Sequence, residues 1–296
     1  MDIQTKLIKL YCTVCHHYNN TLVAHAQRQS NNFRPKFTDE ECITIVIWGI
    51  INRKFEVKAC YEFIRDYYGE WFPDLPSYQA FNSRVCYLAD AFKALAEALI
   101  CELELDSSHN DFIYDSIPVI LANSNRSGRA KVAAEDCSKG YCASKKMWYY
   151  GVKVHTVAQS NFKALPTPAM MVVSKASEHD FPVASGMLEN VYNMRLFADT
   201  ALIDKDWRSR MMSENNVEII TPIKRKKGQK KLSYWDGIYS AAVSGVKQAI
   251  ESFNNWLIEK TNIQKASKVR SAAGLTAFIF ARVCRQYKCD IIRKTS

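Results

Sequence analysis

The hydrophobic period of this chain changes near residue 110, and that change limits the fold more than any other feature. Before it, apolar residues recur at helical spacing; after it, they come in short β-branched and aromatic runs. The segment "TDEECITIVIWGIINRK" (38–54) opens with Thr38 and Glu41 in capping-box spacing and then runs apolar at helical intervals. A second helix is predicted over "KACYEFIRDYY" (58–68), where Cys60, Tyr61, Ile64 and Tyr68 share a face. Ser77 is placed as an N-cap, with one long helix expected through "NSRVCYLADAFKALAEALICEL" (82–103).

Beyond residue 110 three successive strands are predicted, "DFIYDSIPVI" (111–120), "MWYYGVKVHTVA" (147–158) and "ALPTPAMMVVSKAS" (164–177). A helix over Phe181 to Tyr192, opened by Asp180 as cap, leads to a fourth strand, "MRLFADTAL" (194–202). A helix over Lys205 to Asn215, a fifth strand "VEIITPI" (217–223) and two late helices (240–261 and 274–288) complete the order βββ-α-β-α-β-α plus one terminal helix. The expected class is α/β, with a five-stranded sheet in 111–296 preceded by a helical domain in 1–110. That helical domain fits a helix-turn-helix reader of DNA or a plain packing or dimerisation role.

Charge is divided unevenly. Net charge is +10, yet residues 1–110 hold 11 basic against 14 acidic side chains, and 111–296 hold 29 against 16. "KRKKGQKK" (224–231) has six bases and no acid, and the last fifty residues have ten bases and three acids. One lysine run is ordinarily a solvated loop; this concentration points to a polyanion, most simply nucleic acid, with affinity that falls steeply as salt rises. The opening Met1 to Tyr11 carries Lys6 and Lys9 and no export signal, and apolar windows such as "CITIVIWGII" (42–51) reach only half a bilayer span. A cytoplasmic chain with reduced cysteines and no membrane segment is expected. "CTVCHH" (12–17) contains a C-x-x-C-H string, but with no second C-x-x-C and no export signal it is assigned to buried or half-buried cysteines of a first helix rather than to haem or zinc.

Three acids stand out by position. Asp115 interrupts an apolar strand, Asp199 ends the apolar part of the fourth strand, and Glu251 lies in the long late helix. Singly, each fits an ordinary strand-end or helix-surface charge. In this order of elements the first and fourth strands become neighbours with the late helix near their ends, so three carboxylates would converge. Such a trio repels itself unless a cation sits between, and oxygen-only ligands select hard ions such as Mg2+ or Mn2+. Lys247, Glu251 and Asn255 share a face of that helix, with Asn254 beside them, and Lys247 suits either an ion pair with Glu251 or a DNA phosphate.

The pieces "YDSIPV" (114–119), "SKKMWYYGVKVH" (144–155), "SEHD" (177–180), "FADTALID" (197–204), "TPIKRKKGQ" (221–229) and "YSAAVSGVKQAIESFNNWLIEKTNIQKASKVRS" (239–271) carry a family resemblance, joined by "LPSYQAFNSR" (75–84). With them the chain resembles the DDE transposases of bacterial insertion sequences, of the IS 982-type group. The resemblance implies an RNase H-like core in which Asp115, Asp199 and Glu251 are catalytic and bind two divalent ions, Mg2+ or Mn2+. It implies double-stranded DNA, both element ends and target, as partner, a homodimer or larger assembly on that DNA, and a nucleoid-associated place in the cell. The expected DNA-backbone contacts are Lys224, Arg225, Lys226, Lys227, Lys230, Lys231, Lys247, Lys268 and Arg270. His155 and His179 are candidates for supporting contacts, and Asp204 and Asp206 for a substitute second acid. Thr200, Ala201 and Leu202 stand where family members carry lysine, glycine and tyrosine, and Lys247 stands for the usual arginine. Two other functions stay open: a DNA-binding protein without catalysis, and a nuclease of the same fold that cuts without joining.

Overall fold

The structure, a computed structural model, describes residues 2–26, 35–225, 228–229 and 231–293, with side chains as far as residue 285. The chain divides into two compact units. The first comprises Met1–Glu102, Lys131–Glu135 and Leu257–Ser296; the second comprises Leu103–Ala130 and Asp136–Trp256.

The first unit is helical: α1 (Ile3–Asn20), α2 (Asp39–Ile51), α3 (Val57–Tyr67), α4 (Tyr78–Tyr87), α5 (Ala89–Cys101) and α10 (Ala272–Arg293). The capping box that opens α2 is present in both directions, Glu41 N donating to Thr38 Oγ1 (3.2 Å) and Thr38 N to Glu41 Oε2 (2.7 Å). Ser77 caps α4 as expected. The single long helix expected after it is two, because the chain breaks at Leu88, a fully buried residue whose backbone leaves helical geometry. No Gly or Pro marks that break. On α1, Cys15 is half-buried and hydrogen-bonded to Tyr11, whereas Cys12 is exposed. Buried within this unit, Asp39 takes Arg84 Nε at 2.6 Å, a second Arg84 N–H, and Tyr18 OH at 2.8 Å.

The second unit holds β1 (Asp111–Asn123), a one-turn helix α6 (Ser124–Ser127), β2 (Ser138–Cys142), β3 (Met147–Gln159), β4 (Thr167–Lys175), α7 (Asp180–Leu188), β5 (Met194–Phe197), α8 (Lys205–Asn215) and β6 (Val217–Ile220). The long helix α9 (Tyr234–Thr261) belongs to this unit through Trp256. Among the described residues six strands form one mixed sheet in the order β2-β3-β1-β5-β6, with β4 also on β3. β3 pairs with β2 through Met147–Gly151 and with β4 through Val152–Gln159, both antiparallel. β1 and β5 are neighbours, as expected from the element order, and they pair in parallel with Phe112 opposite Leu196. All five expected strands are present, and β2 is the sixth. An apolar layer of Phe112, Tyr114, Leu188, Leu196, Trp207 and Val217 joins the sheet to α7 and α8.

β5 is shorter than expected. It ends at Phe197, and Thr200–Leu202 form a turn of 3-10 helix in place of the end of a strand. The run was apolar because Leu202 is buried in the layer under α7 and α8, so apolar character here reflects packing and not strand pairing. α7 is capped by position at His179; Asp180 is its first residue, and its carboxylate is engaged elsewhere. Among the described residues no helix is long and apolar enough to cross a membrane.

Candidate active site

Strand alternation sends Asp115 to the face of β1 opposite Tyr114 and Ser116. On that face it is half-buried, and Asn254 Nδ2 of α9 donates to its Oδ2 at 2.8 Å. Asp199 follows β5, the parallel neighbour of β1, and Lys247 Nζ of α9 lies 2.9 Å from its Oδ1. Lys247 is buried to 7% exposure, whereas the Asp199 side chain is 70% exposed, so the pair joins a fixed ammonium to a solvent-facing carboxylate. Lys247 and Asn254 are two helical turns apart and so share the face of α9 that meets both acids. Burial pushes Asp115 up to about 6, and the charge of Asp199 adds to it. A Ser116 backbone hydrogen bond, Lys247 and Asn254 pull the other way.

Two of the three expected acids therefore come together, and Lys247 with them. Glu251 sits one turn beyond Lys247, exposed, with no hydrogen bond or ion pair to either aspartate. Among the described residues no group of three or more His, Cys, Asp or Glu side chains forms a metal cluster. The residues that do meet still suit a hard divalent cation. They are two carboxylates without nitrogen or sulfur ligands, beside a buried Asn254 Oδ1 that has no hydrogen-bond partner. Asn254 is the site residue that sequence spacing left beside the face it occupies; its separation of seven from Lys247 was the available signal. Of the substitutes for Asp199, Asp204 is occupied as the N-cap of α8, accepting from Trp207 N at 2.7 Å, and Asp206 lies in the first turn of that helix.

The opposite face of β1 carries a second polar group. Tyr114 OH lies 2.6 Å from His155 Nδ1, and His155 Nε2 lies 2.8 Å from Ser174 Oγ. Ser116 Oγ donates to Asp180 Oδ2 (3.2 Å), and Lys153 Nζ to Asp180 Oδ1 (2.7 Å). Burial lowers His155 to about 4, which keeps the ring neutral near pH 7. His155 thus supports β1 from behind; His179, at the start of α7, is exposed.

Of the expected DNA contacts, Lys224, Arg225, Lys231, Lys268 and Arg270 are exposed, and Lys247 is buried in the site. Lys226, Lys227 and Lys230 lie outside the described residues. Among curated proteins and among solved structures nothing matches this chain. A family model described as "Transposase DDE domain" matches residues 107–271, which span both aspartates, Lys247, Glu251 and Asn254. That match covers more than half of the chain, and the protein therefore belongs to the transposase DDE-domain family.

Proposed function

We propose that this chain is the transposase of an IS 982-type insertion sequence, cutting DNA at the ends of its element and joining the freed 3′ ends to target DNA. The convergence of Asp115 and Asp199, from parallel neighbours in the sheet, on Lys247 and Asn254 of one helix is the observation that carries it. Asp115 and Asp199 would hold Mg2+ or Mn2+, with Glu251 of the same helix as the third acid that the family resemblance implies, and the bound metal would supply neutralisation of charge on the scissile phosphate and a more acidic water for attack. Asn254 holds Asp115 in one orientation, and Lys247 offers a desolvated positive charge beside the acids, suited to a phosphate oxygen. Lys224, Arg225, Lys226, Lys227, Lys230, Lys231, Lys268 and Arg270 hold the backbone of double-stranded DNA through charge alone. The protein acts in the cytoplasm at the nucleoid, as a dimer or larger assembly that brings two ends together.

The test uses DNA carrying the flanking ends of the gene, with Mg2+ or Mn2+, and compares the natural protein with Asp115→Asn and Asp199→Asn. Specific cuts and joined products that vanish in both variants are expected. Cuts without joined products would identify a nuclease instead. A second reading, a decayed copy that only binds DNA, is favoured by the Thr200–Leu202 turn directly after Asp199 and by the Lys247 ion pair that occupies that acid. Binding of the ends with no cuts under either metal would establish it.

A further inference from the structure

The first unit contains a cavity of about 580 Å3, walled by α2, α3, α4, α10 and the loop 262–271. Its volume lies within the roughly 300–1,000 Å3 range of ligand sites. Five of its lining residues are Lys or Arg (Lys58, Lys265, Lys268, Arg270 and Arg282) against a single acid, Glu56. The remaining wall is largely apolar, with the half-buried rings of Phe55, Tyr78 and Phe278 turned to it.

Arg282 makes this more than a basic surface. It is 3% exposed, and its Nε and Nη1 donate to Thr261 O (3.0 Å) and Phe278 O (2.8 Å), with Nη2 on Phe55 O. Its guanidinium lies 3.3 Å from the Phe278 ring centroid. Among the described residues no carboxylate pairs with it. Burial pulls the group down to about 9, the direction expected of a cation that lacks an anion. Buried charges are ordinarily paired, and a guanidinium has five N–H groups, of which carbonyls engage three here. An anion that brings a flat apolar body would satisfy the charge and the rings together.

We infer that this cavity takes one unpaired nucleotide of a DNA strand, its phosphate on Lys265, Lys268 and Arg282 and its base among Phe55, Tyr78 and Phe278. The inference rests on the proposed action on DNA and adds a place where a base leaves the duplex. Aromatic stacking of one base, the usual device for holding unpaired strands, supplies the preference.

The experiment measures, with the full-length protein, the affinity for a labelled duplex ending in one unpaired nucleotide and for its fully paired counterpart. The unpaired form should bind roughly tenfold more tightly, within the range of a single base–aromatic stack. Tyr78→Ala, and separately the exposed pair Lys265→Ala with Lys268→Ala, should bring that ratio close to one. Arg282→Met risks the fold and serves only if its thermal unfolding matches the natural protein. Equal affinity for the two DNAs, or a ratio that survives in the variants, overturns the inference. Saturable binding of free deoxynucleotide monophosphate in calorimetry that the unpaired end does not displace would overturn it too, as a free-nucleotide site. End cleavage by a protein without the preference sinks the inference alone; failure to bind either DNA sinks the proposed function.

Discussion

Asp115 should make the folded protein less stable at neutral pH. Its carboxyl is raised from an ordinary 3.8 to about 6, chiefly by burial, so the native state holds that proton more tightly than the unfolded chain does. Stability from this group is then fully present below about pH 4 and is lost as pH rises through about 6. At 1.36 kcal/mol for each pH unit, the gap is worth about 3 kcal/mol at pH 8. Asp115→Asn keeps the shape and can still accept from Asn254, though a neutral acceptor makes a weaker hydrogen bond. A net gain of about 1–3 kcal/mol at pH 8 is expected, or several degrees at roughly 2–4 °C per kcal/mol. The assay is urea unfolding of both proteins from pH 4 to 8, followed by tryptophan fluorescence, since Trp207 is buried in the same unit. The natural protein's curve alone is not diagnostic: His155, lowered to about 4, loses stability as pH falls below its ordinary 6.5, opposing Asp115 in the same window. The difference between the two proteins removes His155. A variant less stable than the natural protein at pH 8, or a difference independent of pH, would refute the reasoning.

Lys247→Met should raise the Asp115 carboxyl above about 6, because the ammonium is one of the groups that lowers it; the measurement is the 13C titration of that carboxyl, and an unchanged midpoint would count against the shared site. Arg84→Leu should cost about 3–5 kcal/mol by leaving Asp39 buried without its cation, and adding Asp39→Leu should recover part of that, both measured by urea unfolding. Gly151→Ala should destabilise the β1–β3 pair by about 1–3 kcal/mol, since an added Cβ overlaps the Val119 carbonyl oxygen, and a thermal melt no lower than that of the natural protein would contradict it.

The parts legible in the sequence were those set by local chemistry. The Thr38–Glu41 box, the Ser77 cap and the extent of α8 depend on residues within a few positions of one another, and each is found where it was expected. That β1 and β5 are neighbours followed from element order; that they run parallel is seen in the structure. What was hidden depends on contacts made at a distance. β2, "SKGYC", has no alternating apolar pattern, and Gly140 stands in it because a Cβ would overlap the Ala176 backbone. Leu202 looked like strand and is core under a helix. In the site, Asp115 and Asp199 were visible as acids that end or interrupt apolar runs, whereas spacing put Asn255 on the shared face of α9 with Asn254 beside it, and it is the buried Asn254 that meets Asp115 while Asn255 is exposed.

How β1 can carry so costly a carboxylate follows from its two faces. Asp115 is flanked by Tyr114 and Ser116, which point to the side where α7 packs. Tyr114 reaches His155 and the Asp180 carbonyl, and Ser116 reaches the Asp180 carboxylate, itself held by Lys153 of β3. Both neighbours of Asp115 are therefore tied to other elements by buried or half-buried hydrogen bonds. On the front, the backbone cannot turn Asp115 toward water without breaking those ties on the back. A half-buried acid is thereby held beside Asp199, and burial together with that neighbouring charge keeps its carboxyl raised to about 6.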